Sequence, residues 1–213
     1  MSEKQTIRVL LVDDEENLIV DGKKYPLFKE KDPAQLPWGE IEVDIVVEST
    51  GVFTRQEELE KHVQAGAKFV ILSAPSKSES VPTVVYGVNH PGREARIFSC
   101  ASCTTNAITP VVEVMDRRIG VAKAIMTTVH AYTSSQAIVD APSKKFRRGR
   151  AGAANFVPTT TGAAVATSKA LPQMEGRFDG VAIRAPIPVG SIADIVFVTC
   201  LLYTSDAADE EDS

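Results

Sequence analysis

The chain has 213 residues, 44% of them hydrophobic and 24% charged, with a formal net charge of −5. These values fit one large or two small globular domains and give no global attraction to nucleic acid or an anionic membrane. No apolar run approaches the ~20 residues that span a bilayer.

The polar start, residues 1–7, and the short apolar stretch after it do not make a signal peptide, so a cytoplasmic chain is expected. Residues 8–16 look like the first strand of a response-regulator receiver with its acidic pair, but nothing downstream continues that fold. Residues 1–16 are therefore expected to stand apart from the rest, as a possible chimera. Residues 43–48 are apolar, β-branched and few, as in a buried strand of a parallel sheet. Thr54 with Glu57 makes a capping-box pattern that opens a helix through Leu59 and Val63, stopping near Gly66. Residues 68–72 form the next buried strand, and residues 84–88 and 95–98 two shorter ones. Strand, helix, strand at this spacing predicts a βαβ unit in an open, mostly parallel α/β sheet.

After Ser99 the pattern changes. Ile108, Val111, Val112, Met115 and Ile119 recur at helical spacing and predict a helix over 104–119. Residues 122–129 predict a strand ending at His130. Residues 143–152 form a basic loop with Lys144, Lys145, Arg147, Arg148 and Arg150. A helix is expected from near Thr161-Gly162 to residue 170, then strands at 181–186 and 193–198. Residues 200–213 resemble a translated sequencing adaptor; the alternative is a solvated acidic tail. On the adaptor reading the chain is an internal fragment of a longer protein.

Three cysteines, Cys100, Cys103 and Cys200, are too few for a disulfide scaffold. Cys100-x-x-Cys103 has zinc-like spacing but no second ligand pair, so no metal is expected. Cys103 lies just before a helix, where free N–H groups and the positive end of the macrodipole favour the thiolate. The alternative is an inert buried cysteine. His130, at the carboxyl end of a strand, sits where active-site groups of α/β folds gather and suits a general base. Arg184 lies in an apolar strand, where an arginine calls for an anion or a partner. Thr161-Gly162 at a helix start offers N–H groups to a second anion. The cations of the basic loop can be a solvated face, a nucleic-acid patch or a phosphate grip. The acidic balance and missing aromatics argue against nucleic acid.

The ordered set Ala101-Ser102-Cys103-Thr104-Thr105-Asn106, His130-Ala131-Tyr132-Thr133, Pro158-Thr159-Thr160-Thr161-Gly162-Ala163-Ala164 and Arg184-Ala185-Pro186 resembles phosphorylating glyceraldehyde-3-phosphate dehydrogenases. Glu30-Lys31-Asp32-Pro33, Leu36-Pro37-Trp38-Gly39 and Glu48-Ser49-Thr50-Gly51-Val52-Phe53 resemble the same family upstream. The resemblance implies an α/β chain: a partial Rossmann-like parallel sheet followed by a partial α+β catalytic domain. It divides the chain into a partial dinucleotide-binding domain, 17–101, and a partial catalytic domain, 102–199. It makes Cys103 the nucleophile on the aldehyde of glyceraldehyde 3-phosphate and His130 the proton acceptor. Inorganic phosphate then attacks the thioester. Thr133 and Arg184 match the substrate-phosphate site. Ser102, Thr104, Thr161 and Gly162, with Arg148 near, match the site of the attacking phosphate. Thr50, Gly51, Phe53 and Ser73 match contacts to NAD or NADP, and the family implies a homotetramer.

Four departures stand out. No G-x-G-x-x-G fingerprint occurs, and the acidic residue that reads the ribose is absent with it, so NAD and NADP are not distinguished. The residues that should follow Thr199 are replaced, and the chain by itself is expected to be inactive. Ser134-Ser135 stands where many members have Asn-Asp, and Cys100 where many have Asn. The competing functions are an erythrose-4-phosphate dehydrogenase, which would hydrolyse the thioester, a receiver-type signalling module, and a redox protein using Cys100 and Cys103.

Overall fold

The computed structural model describes residues 17–20 and 23–200. The receiver-like residues 8–16, and the tail beyond Cys200, lie outside the described residues. The chain divides into two compact units between Ser102 and Cys103.

The first unit begins with an antiparallel pair, β1 (Asn17–Val20) and β2 (Lys23–Pro26), joined in register from Asn17↔Pro26 to Val20↔Lys23. Sequence patterning misses this pair because β2, Lys-Lys-Tyr-Pro, has no apolar run to mark a strand. The body of the unit is a parallel sheet of β3 (Ile45–Glu48), β4 (Phe69–Leu72) and β5 (Ile97–Ser99), in the order β3-β4-β5. Helix α1 (Gln56–Gln64) makes the crossover from β3 to β4. Leu59 of α1 packs with Val70, Leu72 and Val81, and a second cluster gathers Leu36, Trp38, Val43, Val46 and Ala67. The parallel α/β sheet is therefore as expected.

Two local expectations need correction. Residues 84–88 do not form a strand. The Asn89 side chain accepts from Val85 N–H and donates to the Thr83 carbonyl. Gly87, at φ +78°, turns the chain there. The α1 cap also sits one residue later than the Thr54/Glu57 pattern. The N-cap is Arg55, and the carboxylate of Glu58 accepts from the backbone N–H groups of Thr54 and Arg55. A carboxylate three residues into a helix can reach back to these free donors, and Glu58 does so where Glu57 does not.

The second unit is a four-stranded sheet, order β7-β8-β6-β9, with two helices. Its elements are α2 (Cys103–Ile119), β6 (Val121–Ala131), β7 (Val157–Thr160), α3 (Ala163–Ala170), β8 (Phe178–Ala185) and β9 (Ser191–Thr199). β6 and β8 are parallel, with His130 opposite Arg184, while β7 and β9 run antiparallel to their neighbours. Met126 and Ala182 are buried on one side of this sheet. α2 and α3 are bridged by Thr109 and Thr167, whose hydroxyls meet at 2.9 Å, both fully buried. β6 runs one residue past His130 to Ala131, so the histidine lies within the strand and not after it. The β6 to β8 pairing extends to Ala131↔Ala185, which holds His130 in the ladder.

Candidate active site

Cys103 is the first residue of the 17-residue helix α2 and is exposed. Backbone N–H groups in the first turn of a helix have no partner within the helix. Sγ lies 3.7 Å from Nε2 of His130 and 4.0 Å from the hydroxyl of Thr104. The sulfur and the imidazole that sequence reading set 27 residues apart thus face one another.

His130 is flanked on its other side by β8. Its Nδ1 lies 2.7 Å from NH1 of Arg184 and 2.8 Å from the carbonyl oxygen of Ala131. The same NH1 donates to that carbonyl at 3.0 Å. The parallel register of β6 and β8 produces this contact directly, because it sets residues 130 and 184 side by side. Burial and, after it, the neighbouring Arg148 guanidinium pull the proton affinity of Arg184 below its ordinary value, while Cys103 acts against them. Nε of Arg184 is buried with no protein partner. Two cations near a thiol, one with an unmet donor, form an environment suited to an anion.

The other predicted anion contacts, apart from Ser102, lie in the same unit with varied commitments. Arg148 donates through Nε and NH2 to the hydroxyl of Thr159, at 3.3 and 3.2 Å. The Thr161 hydroxyl accepts from Ala163 N–H at 3.1 Å and so opens α3. Gly162 is the N-cap of α3, and a Cβ added there would meet nothing within 4 Å. The hydroxyl of Thr133 is 2.9 Å from that of Ser135. The Ser134-Ser135 departure therefore has a structural consequence: it gives Thr133 a neighbour that competes for its hydroxyl. Ser102 is the last residue of the first unit.

The predicted cofactor contacts belong to the first unit and cluster after its strands. Thr50-Gly51 follow β3, and Ser73 follows β4. Ligands of open α/β sheets bind beyond the carboxyl ends of the strands, so these turns fit a dinucleotide. Gly51 has φ +74°, a conformation that side-chain-bearing residues rarely adopt. Ser73 N–H donates to the Glu48 carbonyl at 2.9 Å. Phe53 is half-buried in the same turn region.

Sequence reading missed the group that holds this turn. Glu48, only 2% exposed, accepts from both the N–H and the hydroxyl of Thr50 and from Nε2 of His62. Nδ1 of His62 in turn accepts the indole N–H of Trp38 at 3.0 Å. Burial raises the Glu48 carboxyl, but the hydrogen bonds from His62 and Thr50 together outweigh it and leave the group below its ordinary value. The hydroxyl and N–H protons of Thr50 are thus both committed to Glu48, and the hydroxyl oxygen accepts from Val52 N–H at 3.1 Å. The available signal was a glutamate ending an apolar strand, since a buried carboxylate needs partners.

Among the described residues no group of three or more His, Cys, Asp or Glu could hold a metal ion. Among them, too, no helix is long and apolar enough to cross a membrane.

The family model described as glyceraldehyde 3-phosphate dehydrogenase, C-terminal domain, matches residues 102–209. That of the NAD binding domain of the same family matches residues 4–56. The matches extend into both terminal segments that sequence reading set apart. The chain is 50% identical over 185 residues to glyceraldehyde-3-phosphate dehydrogenase of Streptomyces coelicolor, covering 85% of this chain and 55% of that protein. It is 49% identical over 183 residues to the Geobacillus stearothermophilus protein of that name, covering 84% and 54%. It is 46% identical over 190 residues to the chloroplastic A form of Chlamydomonas reinhardtii, covering 88% and 50%. The chain spans about half the length of the curated relatives it matches. It belongs to the glyceraldehyde 3-phosphate dehydrogenase family.

Proposed function

We propose that this chain carries the reaction centre of a phosphorylating dehydrogenase that converts glyceraldehyde 3-phosphate and inorganic phosphate to 1,3-bisphosphoglycerate. The observation that carries the reading is the 3.7 Å approach of Cys103 Sγ and His130 Nε2 at the start of α2, with Arg184 against the far side of the imidazole. The thiolate adds to the aldehyde carbonyl and gives a hemithioacetal. His130 takes the hydroxyl proton as the C–H bond breaks. NAD or NADP, when bound, accepts the hydride. The carbonyl carbon is then a thioester on Cys103, and a phosphate oxygen displaces the sulfur to give the acyl phosphate.

Arg184 and Thr133 hold the phosphate of the substrate. Arg148, Ser102, Thr104 and the Thr161-Gly162 start of α3 hold the attacking phosphate. Thr50, Gly51, Phe53 and Ser73 hold the dinucleotide. Residues 17–101 serve as the cofactor half and residues 102–199 as the catalytic half. The reaction serves glycolysis in the cytoplasm.

A homotetramer is part of this reading. Ile125, Val181, Ile192 and Val196 alternate onto the second face of the β6-β8-β9 sheet, and each is at least half exposed. An uncovered apolar sheet face of this kind favours a subunit partner.

Reduction of NAD or NADP with glyceraldehyde 3-phosphate by a full-length protein that carries these residues, followed by absorbance with and without phosphate, tests the reading; this chain by itself is expected to be inactive. Turnover that requires phosphate supports it. Phosphate-independent turnover, with erythrose 4-phosphate the better substrate, assigns the hydrolytic alternative.

A further inference from the structure

Glu48 closes β3 and reaches in two directions. One carboxylate oxygen, Oε1, accepts from the N–H and the hydroxyl of Thr50, and the other, Oε2, lies 3.1 Å from Nε2 of His62. The Thr50 hydroxyl oxygen accepts in turn from Val52 N–H, so the turn after β3 is built on that carboxylate. Gly51, between the two bonded residues, has φ +74° and is exposed. A carboxylate only 2% exposed is stable while donors meet both of its oxygens. Thr50 meets Oε1 alone. Among the described residues, His62 supplies the donor to Oε2.

The His62 ring is held from both sides. The indole N–H of Trp38 is a donor only, and it lies 3.0 Å from Nδ1, so Nδ1 accepts. The ring proton is then on Nε2, where the Glu48 carboxylate accepts it. The two neighbours require the same tautomer. The ring is also stacked on the indole, with centroids 6.2 Å apart and planes inclined by 27°. His62 lies in the last turn of α1 and is 4% exposed, so it meets no ligand itself. The set of the Glu48 carboxylate, and with it of the Thr50 turn, therefore depends on a side chain of the crossover helix.

We propose that His62 is a positioning residue for the dinucleotide: its Nε2–H holds the Glu48 carboxylate, which holds the Thr50-Gly51 turn in the form that receives the cofactor. The inference rests on the proposed function, which assigns that turn to NAD or NADP. Removing the ring leaves Oε2 without a donor in a buried site. The carboxylate then turns toward solvent or takes up a proton, and in either case its hold on the two Thr50 donors weakens. The loss falls on dinucleotide affinity and not on the chemistry at Cys103.

The test uses a full-length protein that carries these residues and the tighter-bound of NAD and NADP, with binding read by isothermal titration calorimetry. His62→Leu removes both bonds of the ring. His62→Gln keeps an amide N–H for Glu48 and a carbonyl oxygen for Trp38. His62→Leu should raise the Kd of the dinucleotide on the order of 10-fold, the loss expected of one hydrogen bond to a charged group. The KM for the dinucleotide should rise with it while kcat does not fall, and His62→Gln should recover most of the affinity. A merely structural role would weaken folding in both variants without that split. A folded His62→Leu that binds the dinucleotide as the wild type does overturns the proposal, and so does a loss that falls equally on kcat. If His62→Leu does not fold, histidine ¹⁵N NMR of the wild type decides, with His62→Gln identifying the signals. Nε2 of His62 should carry the proton and shift when the dinucleotide is added; a proton on Nδ1, or a signal that does not move, overturns the proposal. A wild-type protein that binds neither dinucleotide overturns the proposed function and this inference with it, whereas unchanged binding in His62→Leu overturns this inference alone.

Discussion

The indole N–H of Trp38 donates to Nδ1 of His62 at 3.0 Å, which leaves Nε2 as the nitrogen that donates to Glu48. All three residues are at most 4% exposed. The direction of every bond from Trp38 to the Thr50 turn follows from that one donor. A buried acceptor pair of this kind is stabilising only while each member keeps its partner.

Glu48 therefore carries a pH signature. Its folded value lies below its ordinary 4.5, so its contribution is complete above about pH 4.5 and fades as pH falls through the folded value. Urea unfolding followed by the fluorescence of Trp38, the single tryptophan, should show stability dropping in that acidic window. In Glu48→Gln the drop should flatten, and stability near neutral pH should fall by about 1–3 kcal/mol. An unchanged acid slope in the variant would show that other carboxylates carry the effect.

Thr109 and Thr167 make a second coupled pair, between α2 and α3. The Thr109 hydroxyl donates to the Thr105 carbonyl at 2.7 Å and so accepts from Thr167. Thr109→Val strands the Thr167 hydroxyl in a fully buried site and should destabilise by about 1–3 kcal/mol. Adding Thr167→Val should recover most of that loss, because no buried donor is then unmet. Strict additivity in the double-mutant cycle would contradict the pairing.

Gly66 tests the first unit's packing. It has φ +110°, and an added Cβ would stand 2.5 Å from the backbone N and Cα of Gly39. Strain and clash act together here, so Gly66→Ala should cost more than the ~1 kcal/mol of an ordinary glycine replacement at positive φ. Denaturant midpoints of the chain measure it. A loss under about 0.5 kcal/mol would refute the close approach.

Much of this was legible in the sequence because long apolar patterns and ordered motifs are dense signals. α2 and the parallel strands β3 and β4 follow from periodicity, and Cys103, His130 and Arg184 from chemistry and family resemblance. The β1-β2 pair was not legible, because β2 is Lys23-Lys24-Tyr25-Pro26 and has neither the apolar run of β3 and β4 nor an alternation. Residues 84–88 misled because an apolar run satisfies a strand or a turn equally, and Asn89 decides it by bonding the backbone on both sides. The Glu48-His62-Trp38 relay joins residues 10 to 24 apart, and no spacing rule links them. The contact of Arg184 with Nδ1 is a product of strand register, which the sequence of either strand alone does not state.

The thiols should react unequally. Cys103 is exposed at the start of α2, whereas Cys100 is half-buried and its thiol donates to the Leu72 carbonyl at 3.2 Å. Iodoacetamide at neutral pH, followed by peptide mass spectrometry, should label Cys103 at least about 10-fold faster than Cys100, as expected of an accessible thiol at a helix start. Equal rates would remove the case for an activated Cys103.

The central claim is that Cys103 forms an acyl thioester with His130 in attendance. Acetyl phosphate tests it without a cofactor, because thioester formation with release of phosphate is the reverse of the phosphate step. Intact-mass and peptide analysis should find one acetyl group, on Cys103, and none in Cys103→Ser. His130→Asn should slow its formation by on the order of 10²-fold. An acetyl group on Cys100, a phosphoryl group on an aspartate, or no adduct at all would contradict the account.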